Sequence, residues 1–508
     1  VPEKSADLTG GPGRGDAAPV APGIARRDDA GLPGCASSRA LCVDLDGTLV
    51  ATDLLWEGLL ALVRERPLML RRVPFWLLAG KAHFKRQVAN SAEVDVATLP
   101  YRTELIDFLV RERDRGRELV LATAADAKHA DAVARHLGLF SAVLSSDGTT
   151  NLSGQSKCDA LRRRFGATGF DYAGNDFVDL PMWTAAGSAV LVATPARLAP
   201  RVRAMTTVEA EFASGGSRLR TLLQALRPHQ WVKNILIFVP VLLDHRLMDG
   251  DVLLRAATAF IAFSLAASGG YVVNDLLDVQ ADRRHPRKQH RPFAAGTLSL
   301  RTGVALAPLL FAAAILLAVV ALPPAFLALL AMYIVLTGGY SLYLKRFPVV
   351  DVLLLAGLYT LRVLAGIAAS GVRFSTWLLA FSMFLFLSLA FVKRYAELSR
   401  RRTADGERVA GRGYINADLE WLGSMGGASG YLSVLVLALY ISSEEVTVLY
   451  DRPIVLWMIC PLLLLWVSRM WFFAHRGRID EDPILETMRD RLSYIIGGMV
   501  AVILFLAL

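Results

Sequence analysis

Asn274-Asp275-Leu276-Leu277-Asp278-Val279-Gln280-Ala281-Asp282 ends a long apolar run and leads straight into a basic one, Arg283-Arg284-His285-Pro286-Arg287-Lys288-Gln289-His290-Arg291-Pro292. Read as a helix of 3.6 residues per turn, the stretch sets Asn274, Asp275, Asp278 and Asp282 within an arc of roughly 100°. One amide and three carboxylates then share a face at the mouth of a membrane segment. They repel one another unless a cation joins them. Hard oxygen donors favour Mg²⁺, which keeps some of its waters and is completed by substrate phosphates. Most charge runs are solvated helix ends, but acids at helical spacing beside bases argue for a site.

Outward from this stretch the chain changes character. Its 508 residues suggest two or more domains. From about Trp231 onward long apolar runs follow one another, as in a polytopic membrane protein. Nine spans are expected, at about 231–247, 252–273, 302–322, 324–344, 349–370, 375–392, 425–441, 453–473 and 492–508. One set of connections carries Arg283, Arg284, Arg287, Lys288, Arg291, Arg301, Lys345 and Arg346, then Lys393, Arg394, Arg400, Arg401, Arg402, Arg408, Arg412, Arg476, Arg478, Arg489 and Arg491. The other carries Arg246, Arg373 and Arg452. The basic side is therefore expected to be cytoplasmic, with the soluble part and the acidic stretch on it. The net charge of +9 fits orientation and capture of anionic substrates rather than nucleic-acid binding, for which no motif is visible.

Residues 1–38 are rich in Gly, Pro, Ala and Asp and are expected to be disordered; they lack the apolar core of a secretory signal. Cys35, Cys42, Cys158 and Cys460 are far apart, match no disulfide or zinc pattern, and fit a reducing compartment. Residues 39–204 read as a complete Rossmann-like α/β domain. Ala40–Val43 is a buried strand leading to Asp44-Leu45-Asp46-Gly47-Thr48, and Glu118–Thr123 is a second strand ending in a hydroxyl. Lys157 follows a turn-rich segment, and a third strand ends in Gly174-Asn175-Asp176-Phe177-Val178-Asp179. Polar residues thus gather at the carboxyl ends of apolar strands, where open α/β sheets bind ligands. Residues 54–99 are expected to be a helical cap, either packed over that site or resting on a bilayer surface. Residues 205–226, with Ser214-Gly215-Gly216-Ser217, read as a linker, and 227–508 as the all-α membrane bundle.

The series Asp44, Asp46, Thr123, Lys157 and Asp179 resembles the haloacid dehalogenase (HAD) phosphohydrolase superfamily. That resemblance implies Asp44 as the nucleophile forming an aspartyl-phosphate and Asp46 as the acid and later base. It implies Thr123 and Lys157 as phosphoryl-binding groups, and Mg²⁺ held by Asp44, Asp46, Asn175, Asp176 and Asp179. Asn175 stands where many relatives carry an aspartate, which leaves open a weakened phosphatase or a domain that only binds phosphate.

The membrane half resembles the UbiA superfamily of intramembrane prenyltransferases through Asn274-Asp275-x-x-Asp278-x-x-x-Asp282. Arg227-Pro228-His229-Gln230-Trp231-Val232-Lys233-Asn234, His285-Pro286-Arg287-Lys288 with Arg291-Pro292, Tyr340–Arg346 and Arg362–Gly366 extend the likeness to the decaprenyl-phosphate phosphoribosyltransferase family. The implied reaction joins phosphoribosyl pyrophosphate (PRPP) to a polyprenyl phosphate. Asp275 and Asp278 would be catalytic and, with Asp282, would hold Mg²⁺ on the pyrophosphate, oriented by Asn274. Arg287, Lys288 and Arg291 would grip the soluble substrate. Lys233 with Asn234, and Arg362, would meet the lipid phosphate or the pyrophosphate, and Tyr340 and Lys345 would close the phosphate site. Ordinary UbiA enzymes carry a second aspartate-rich motif; here that region offers only Asp351, with Lys345 and Arg346 before it, which suits two anionic reactants. A bacterial cytoplasmic membrane location follows from the resemblance, and homo-oligomerisation is left open. Three other readings stand beside this one: a conventional prenyltransferase using a prenyl diphosphate, an inactive scaffold, and a transporter.

Overall fold

The computed structural model describes residues 39–213, 215–402, 413–479, 483–487 and 490–508. The segment 1–38 expected to be disordered lies outside them, as do Cys35, Ser214, Arg408, Arg412 and Arg489 of the sequence reading.

Six short apolar runs become one parallel sheet: β1 (Ala40–Val43), β2 (Leu119–Asp126), β3 (Ala142–Ser146), β4 (Phe170–Gly174), β5 (Ser188–Val192) and β6 (Thr207–Phe212). The strand order is β3-β2-β1-β4-β5-β6. The central strands are apolar on both sides because helices cover both faces. Leu41, Val43, Leu121 and Val190 enter one cluster, and Cys42, Val120, Tyr172 and Leu191 the other. Strand β1 pairs with β2 on one side and β4 on the other, so Asp44 leaves the sheet where strand order reverses. Strand β6 alternates exposed and half-buried residues, as an edge strand should. It carries the sheet past residue 204, into the stretch read as a linker, and Arg218–Leu226 in that stretch is a helix.

The expected cap is helical. Its main elements are α1 (Leu54–Glu65), capped by the Asp53 side chain, and α2 (Lys81–Ser91). After α3 (Gln155–Phe165) and β6 come the long apolar helices: α4 (Gly250–Leu277), continued by α5 (Val279–Arg283), then α6 (Leu300–Ala321) and α7 (Pro324–Leu342). They continue as α8 (Val350–Ser370), α9 (Thr376–Arg402), α10 (Asp418–Ile441), α11 (Ile459–His475) and α12 (Arg491–Ala507). Among the described residues seven helices are long and apolar enough to cross a membrane, and α12 is a shorter apolar helix. The first of the nine expected spans, 231–247, is not one helix. It forms a tighter 3₁₀ segment, Pro228–Phe238, and a short helix, Val239–Leu243. Pro228 and Pro240 remove backbone donors there, and Lys233 and Asn234 turn inward, so the segment packs on the bundle instead of spanning alone.

Cap and bundle share a core. Leu60 of α1 joins Val272, Leu276, Val279, Phe293 and Leu298. Buried Glu57 accepts hydrogen bonds from Thr52 (2.6 Å) and from Arg283 (2.6 Å). Gly296 has φ +69°, and a Cβ there would lie 2.4 Å from the Ala51 carbonyl oxygen, so only glycine allows this approach.

Candidate active sites

The first site sits at the carboxyl edge of the sheet. Lys157 Nζ, on the first turn of α3, donates to Asp44 Oδ1 (2.8 Å) and to the Tyr172 hydroxyl (2.9 Å). Thr48 Oγ1 lies 3.4 Å from Asp44 Oδ2 and 3.2 Å from Asn175 Oδ1. Asp179 accepts from the backbone N–H groups of Asn175 (2.9 Å) and Asp176 (3.1 Å) and from the Tyr172 hydroxyl (2.9 Å), which shapes the loop that presents Asn175. Gly47 has φ +78°, and a Cβ there would fall 2.3 Å from Asn175 Nδ2; glycine lets this loop close. Asp46 Oδ1 accepts the Leu54 N–H at the start of α1 (2.9 Å). Thr123 is fully buried on β2, two residues beyond the Leu121 that pairs with Val43, and its hydroxyl accepts the Ala125 N–H.

Electrostatics separates the two aspartates. Burial pushes Asp44 up to about 6, against the pull of Lys157. Burial, then the neighbouring Asp53, holds Asp46 well above the carboxylate range, which favours a protonated acid. Burial opposes the charge on Lys157, but Asp44 and Asp179 outweigh it and raise its pKa. Sequence reading missed Lys85 of α2, whose Nζ donates to the Ala124 carbonyl (2.6 Å) and Asn151 Oδ1 (2.7 Å) beside this site. Asp176 is expected among the metal ligands. It is exposed, and its carboxylate caps the Phe177 N–H (2.6 Å).

The second site is the acidic stretch. The helix breaks at Asp278, the C-cap of α4, but the Asp278 N–H still reaches the Asn274 carbonyl and the Asp282 N–H reaches that of Asp278. Asp275 and Asp282 of the row meet at Arg291, whereas Asp278 faces other cations. Cations surround the row. Arg227 Nη2 donates to both oxygens of Asp275 (2.8 and 2.7 Å). Arg291 Nη1 bridges Asp275 (3.1 Å) and Asp282 (2.6 Å). Lys345 Nζ holds both oxygens of Asp278 (3.1 and 2.9 Å). Arg64, from the cap, donates to the Leu277 carbonyl (3.0 Å) and stands 3.4 Å from Asp278 Oδ1. Lys288 is half-buried near this cluster, and Arg287 is exposed. Burial, and then Arg291, lowers the pKa of Lys288.

Lys233, Asn234 and Arg362 are buried together. Asn234 Oδ1 accepts from Arg362 Nε (2.8 Å), and Asn234 Nδ2 donates to Ser264 (2.9 Å). The Arg362 guanidinium bonds the Leu358 carbonyl and lies 5.1–5.5 Å from the rings of Phe263, Tyr333 and Tyr359. Lys233 Nζ lies 5.9 Å from the Tyr359 ring. Tyr340 takes a place other than the one its sequence suggested. Its hydroxyl donates to Asp351 (3.0 Å) and accepts from Arg394 (2.6 Å), while Arg394 also binds Asp351 and Glu397. Buried Asp351 is thus a structural partner of Arg394, which sequence reading counted only as a positive flank.

Both sites suit Mg²⁺ through their donors. Asp275 and Asp282 converge on one cationic nitrogen, and Asp44 and Asn175 on one hydroxyl, all with hard oxygen atoms. Among the described residues no three acids gather closely enough to cage a metal alone, so phosphate oxygens and water must complete either shell.

An aspartate row ringed by cations thus lies at the end of a long apolar helix, in a bundle joined to an α/β domain. The description of the UbiA prenyltransferase family matches residues 246–485. The uncharacterized protein y4nM of Sinorhizobium fredii is 37% identical over 465 residues, covering 91% of this chain and 89% of its own. The decaprenyl-phosphate phosphoribosyltransferase of Mycobacterium tuberculosis is 34% identical over 210 residues, 40% of this chain and 68% of its own. A solved structure of substrate-bound phosphoserine phosphatase is similar with a TM-score of 0.26 and 13% identity, over 37% of this chain and 97% of its own. The chain belongs to the UbiA prenyltransferase family, and its membrane half is joined to an N-terminal α/β domain built on a six-stranded parallel sheet.

Proposed function

We propose that the chain is a bifunctional enzyme of a bacterial cytoplasmic membrane, with both sites facing the cytoplasm. The membrane half transfers 5-phosphoribose from PRPP to a polyprenyl phosphate, and the HAD-like half then removes the 5-phosphate. The observation that carries this reading is the charge of the second site. Asp351, the sole acid at the position of a second aspartate motif, is taken up by Arg394. One acidic row remains, beside Arg227, Arg291, Lys345 and Arg64. A single metal-binding row with surplus cations suits a pyrophosphate and a lipid phosphate that repel each other. The activity named for the M. tuberculosis relative is of this kind.

In the transfer, a lipid phosphate oxygen attacks C1 of the ribose as the C1–O bond to pyrophosphate breaks. Arg227, Arg291 and Lys345 exchange aspartate partners for phosphate oxygens, and Arg362 and Lys233 offer positive charge on the lipid side. In the second step Asp44 attacks the 5-phosphate, and Asp46 gives its proton to the departing ribose oxygen. Water, deprotonated by Asp46, then releases inorganic phosphate from Asp44. Mg²⁺, held by Asp275, Asp278 and Asp282 in one site and by Asp44 and Asn175 in the other, would offset phosphate charge at each. The product is a polyprenyl-phosphoryl ribose, a lipid-linked pentose suited to envelope glycans.

The test incubates purified chain with PRPP, Mg²⁺ and a polyprenyl phosphate and weighs the lipid products. Pyrophosphate should appear first, then inorganic phosphate, and Asp44→Asn should accumulate the lipid that still bears the 5-phosphate. Consumption of a prenyl diphosphate without use of PRPP would replace this reading with conventional prenyl transfer.

A further inference from the structure

The cap carries a surface that its own fold does not explain. Between α1 and α2 the chain runs Arg66-Pro67-Leu68-Met69-Leu70-Arg71-Arg72-Val73-Pro74-Phe75-Trp76-Leu77-Leu78. Met69, Leu70, Val73 and Trp76 turn inward and pack against Ala61, Leu62 and Ala92, which fixes the segment to the cap. The opposite side should then be polar. Instead Leu68 and Phe75 are each 72% exposed, Leu77 52% and Leu78 86%. Scattered apolar residues on a surface are ordinary; four large exposed ones within eleven positions, on a segment already anchored by its other face, call for a partner.

Position and charge identify that partner. The segment begins three residues after Arg64, whose guanidinium rests on the carbonyl of Leu277, the last residue of the spanning helix α4. The cap is held at this level by Glu57 on Arg283, Asp95 on Arg284 (2.6 Å) and the Asp53–Arg301 pair. The segment therefore starts beside the end of α4, the end that would leave the bilayer if α4 spans it. Arg66, Arg71 and Arg72 are exposed beside it, a basic flank of the kind that meets anionic headgroups. We propose that Pro67–Leu78 is an interfacial anchor: Leu68, Phe75, Leu77 and Leu78 enter the acyl boundary of the cytoplasmic leaflet, and the three arginines bind anionic lipid phosphates. The phosphatase-like domain is thereby docked on the membrane surface beside the lipid-facing site. This inference concerns the cap alone and stands whether or not PRPP is the substrate.

The full chain, with Cys35 and Cys460 replaced by serine and the buried Cys42 and Cys158 kept, is placed in nanodiscs of phosphatidylcholine and phosphatidylglycerol. Leu78→Cys carries an environment-sensitive fluorophore, and Asp131→Cys serves as an exposed control. Nitroxide-bearing acyl chains should quench the Leu78 site and not the control, while aqueous iodide should quench the Leu78 site at least about fivefold less than the control. Pure phosphatidylcholine, or Arg71→Gln with Arg72→Gln, should weaken the lipid quenching. Iodide access equal to that of the control would overturn the proposal. So would protection from both quenchers that appears only with two chains per disc, which would assign the patch to a second copy. Thermal unfolding of each labelled variant checks that the cap is intact, and a labelled Phe75→Cys chain supplies the same comparison if Leu78→Cys is unstable.

Discussion

Replacing Arg394 by methionine should be among the most damaging changes in the bundle. Arg394 and Asp351 are both buried, with side chains 2% and 0% exposed. The guanidinium holds both Asp351 oxygens, the Tyr340 hydroxyl (2.6 Å) and Glu397 (2.6 Å). Removing it leaves a carboxylate deep in the protein without its main countercharge, and such breaks cost about 3–5 kcal/mol. Replacing both partners with apolar groups of similar size is far milder, often near neutral. Arg394→Met should therefore lower stability by about 3–5 kcal/mol, and adding Asp351→Leu should recover more than half of that loss. The assay is a double-mutant cycle on thermal and denaturant unfolding in one detergent, with Asp351→Leu alone as the fourth corner. A single mutant within about 1 kcal/mol of wild type, or a double mutant no better than Arg394→Met, would refute the claim that Asp351 is a structural partner rather than a metal ligand.

Asp278→Asn, at a half-buried aspartate, should cut pyrophosphate release from PRPP by about 100-fold or more with the unfolding midpoint close to wild type, and Asp275→Asn should cut it as far with some loss of stability; equal rates would remove the acidic row from the chemistry. Arg64→Gln should raise the KM for PRPP about tenfold with kcat little changed, because the cap then no longer fixes the chain at Leu277 and Asp278; Arg64→Lys should fall between, and an unchanged KM would make the contact mere packing. His129 is buried, and burial lowers its pKa from 6.5 to about 4. The native state then binds this proton less tightly than the unfolded chain, so stability present above pH 6.5 is lost as pH falls toward 4, by a maximum of about 3 kcal/mol. His129→Phe should flatten that acid limb of the unfolding midpoint, and an unchanged limb would place the lost stability elsewhere.

What the sequence made legible follows from how far apart the partners lie. Asp44, Asp46 and Asn175 sit at ends of short apolar strands, and parallel sheets bring those ends together whatever else the chain does. The acidic row is read from one helical period. Of the cations that balance it, Arg291 and Lys345 lie in motifs the sequence displays, but Arg227 and Arg64 are another matter. Arg227 reaches Asp275 across 48 positions, and Arg64 reaches the Leu277 carbonyl across 213. No local pattern marks Arg64, and the motif that opens with Arg227 does not reveal that its guanidinium turns back to Asp275. The segment 231–247 misled for the opposite reason. Its composition is that of a span, but hydropathy does not weigh the prolines or the inward Lys233 and Asn234 that make it an adjunct of the bundle. Tyr340 looked like a phosphate ligand because Lys345 and Arg346 follow it, and only packing reveals that Arg394 occupies its hydroxyl first.

The same contacts bear on why two domains share a chain. Helix α1 has twelve residues and so is about 18 Å long. Its first N–H is bound by Asp46, and Arg64 in its last turn is bound at Asp278. A linker alone would let the domains sample many separations, and on the proposed function the second step would then compete with diffusion of the intermediate. A helix pinned at one end to Asp46 and at the other to Asp278, and packed through Leu60 into the core beneath, keeps these two aspartates at one separation. On the proposed reading, a lipid intermediate held in the membrane needs to swing only its ribose phosphate, not its polyprenyl tail. That geometry favours hydrolysis before release, and it gives Gly296 a reason to be glycine. Any side chain there would strike the Ala51 carbonyl and lever the cap, with Asp46 behind it, away from the acidic row.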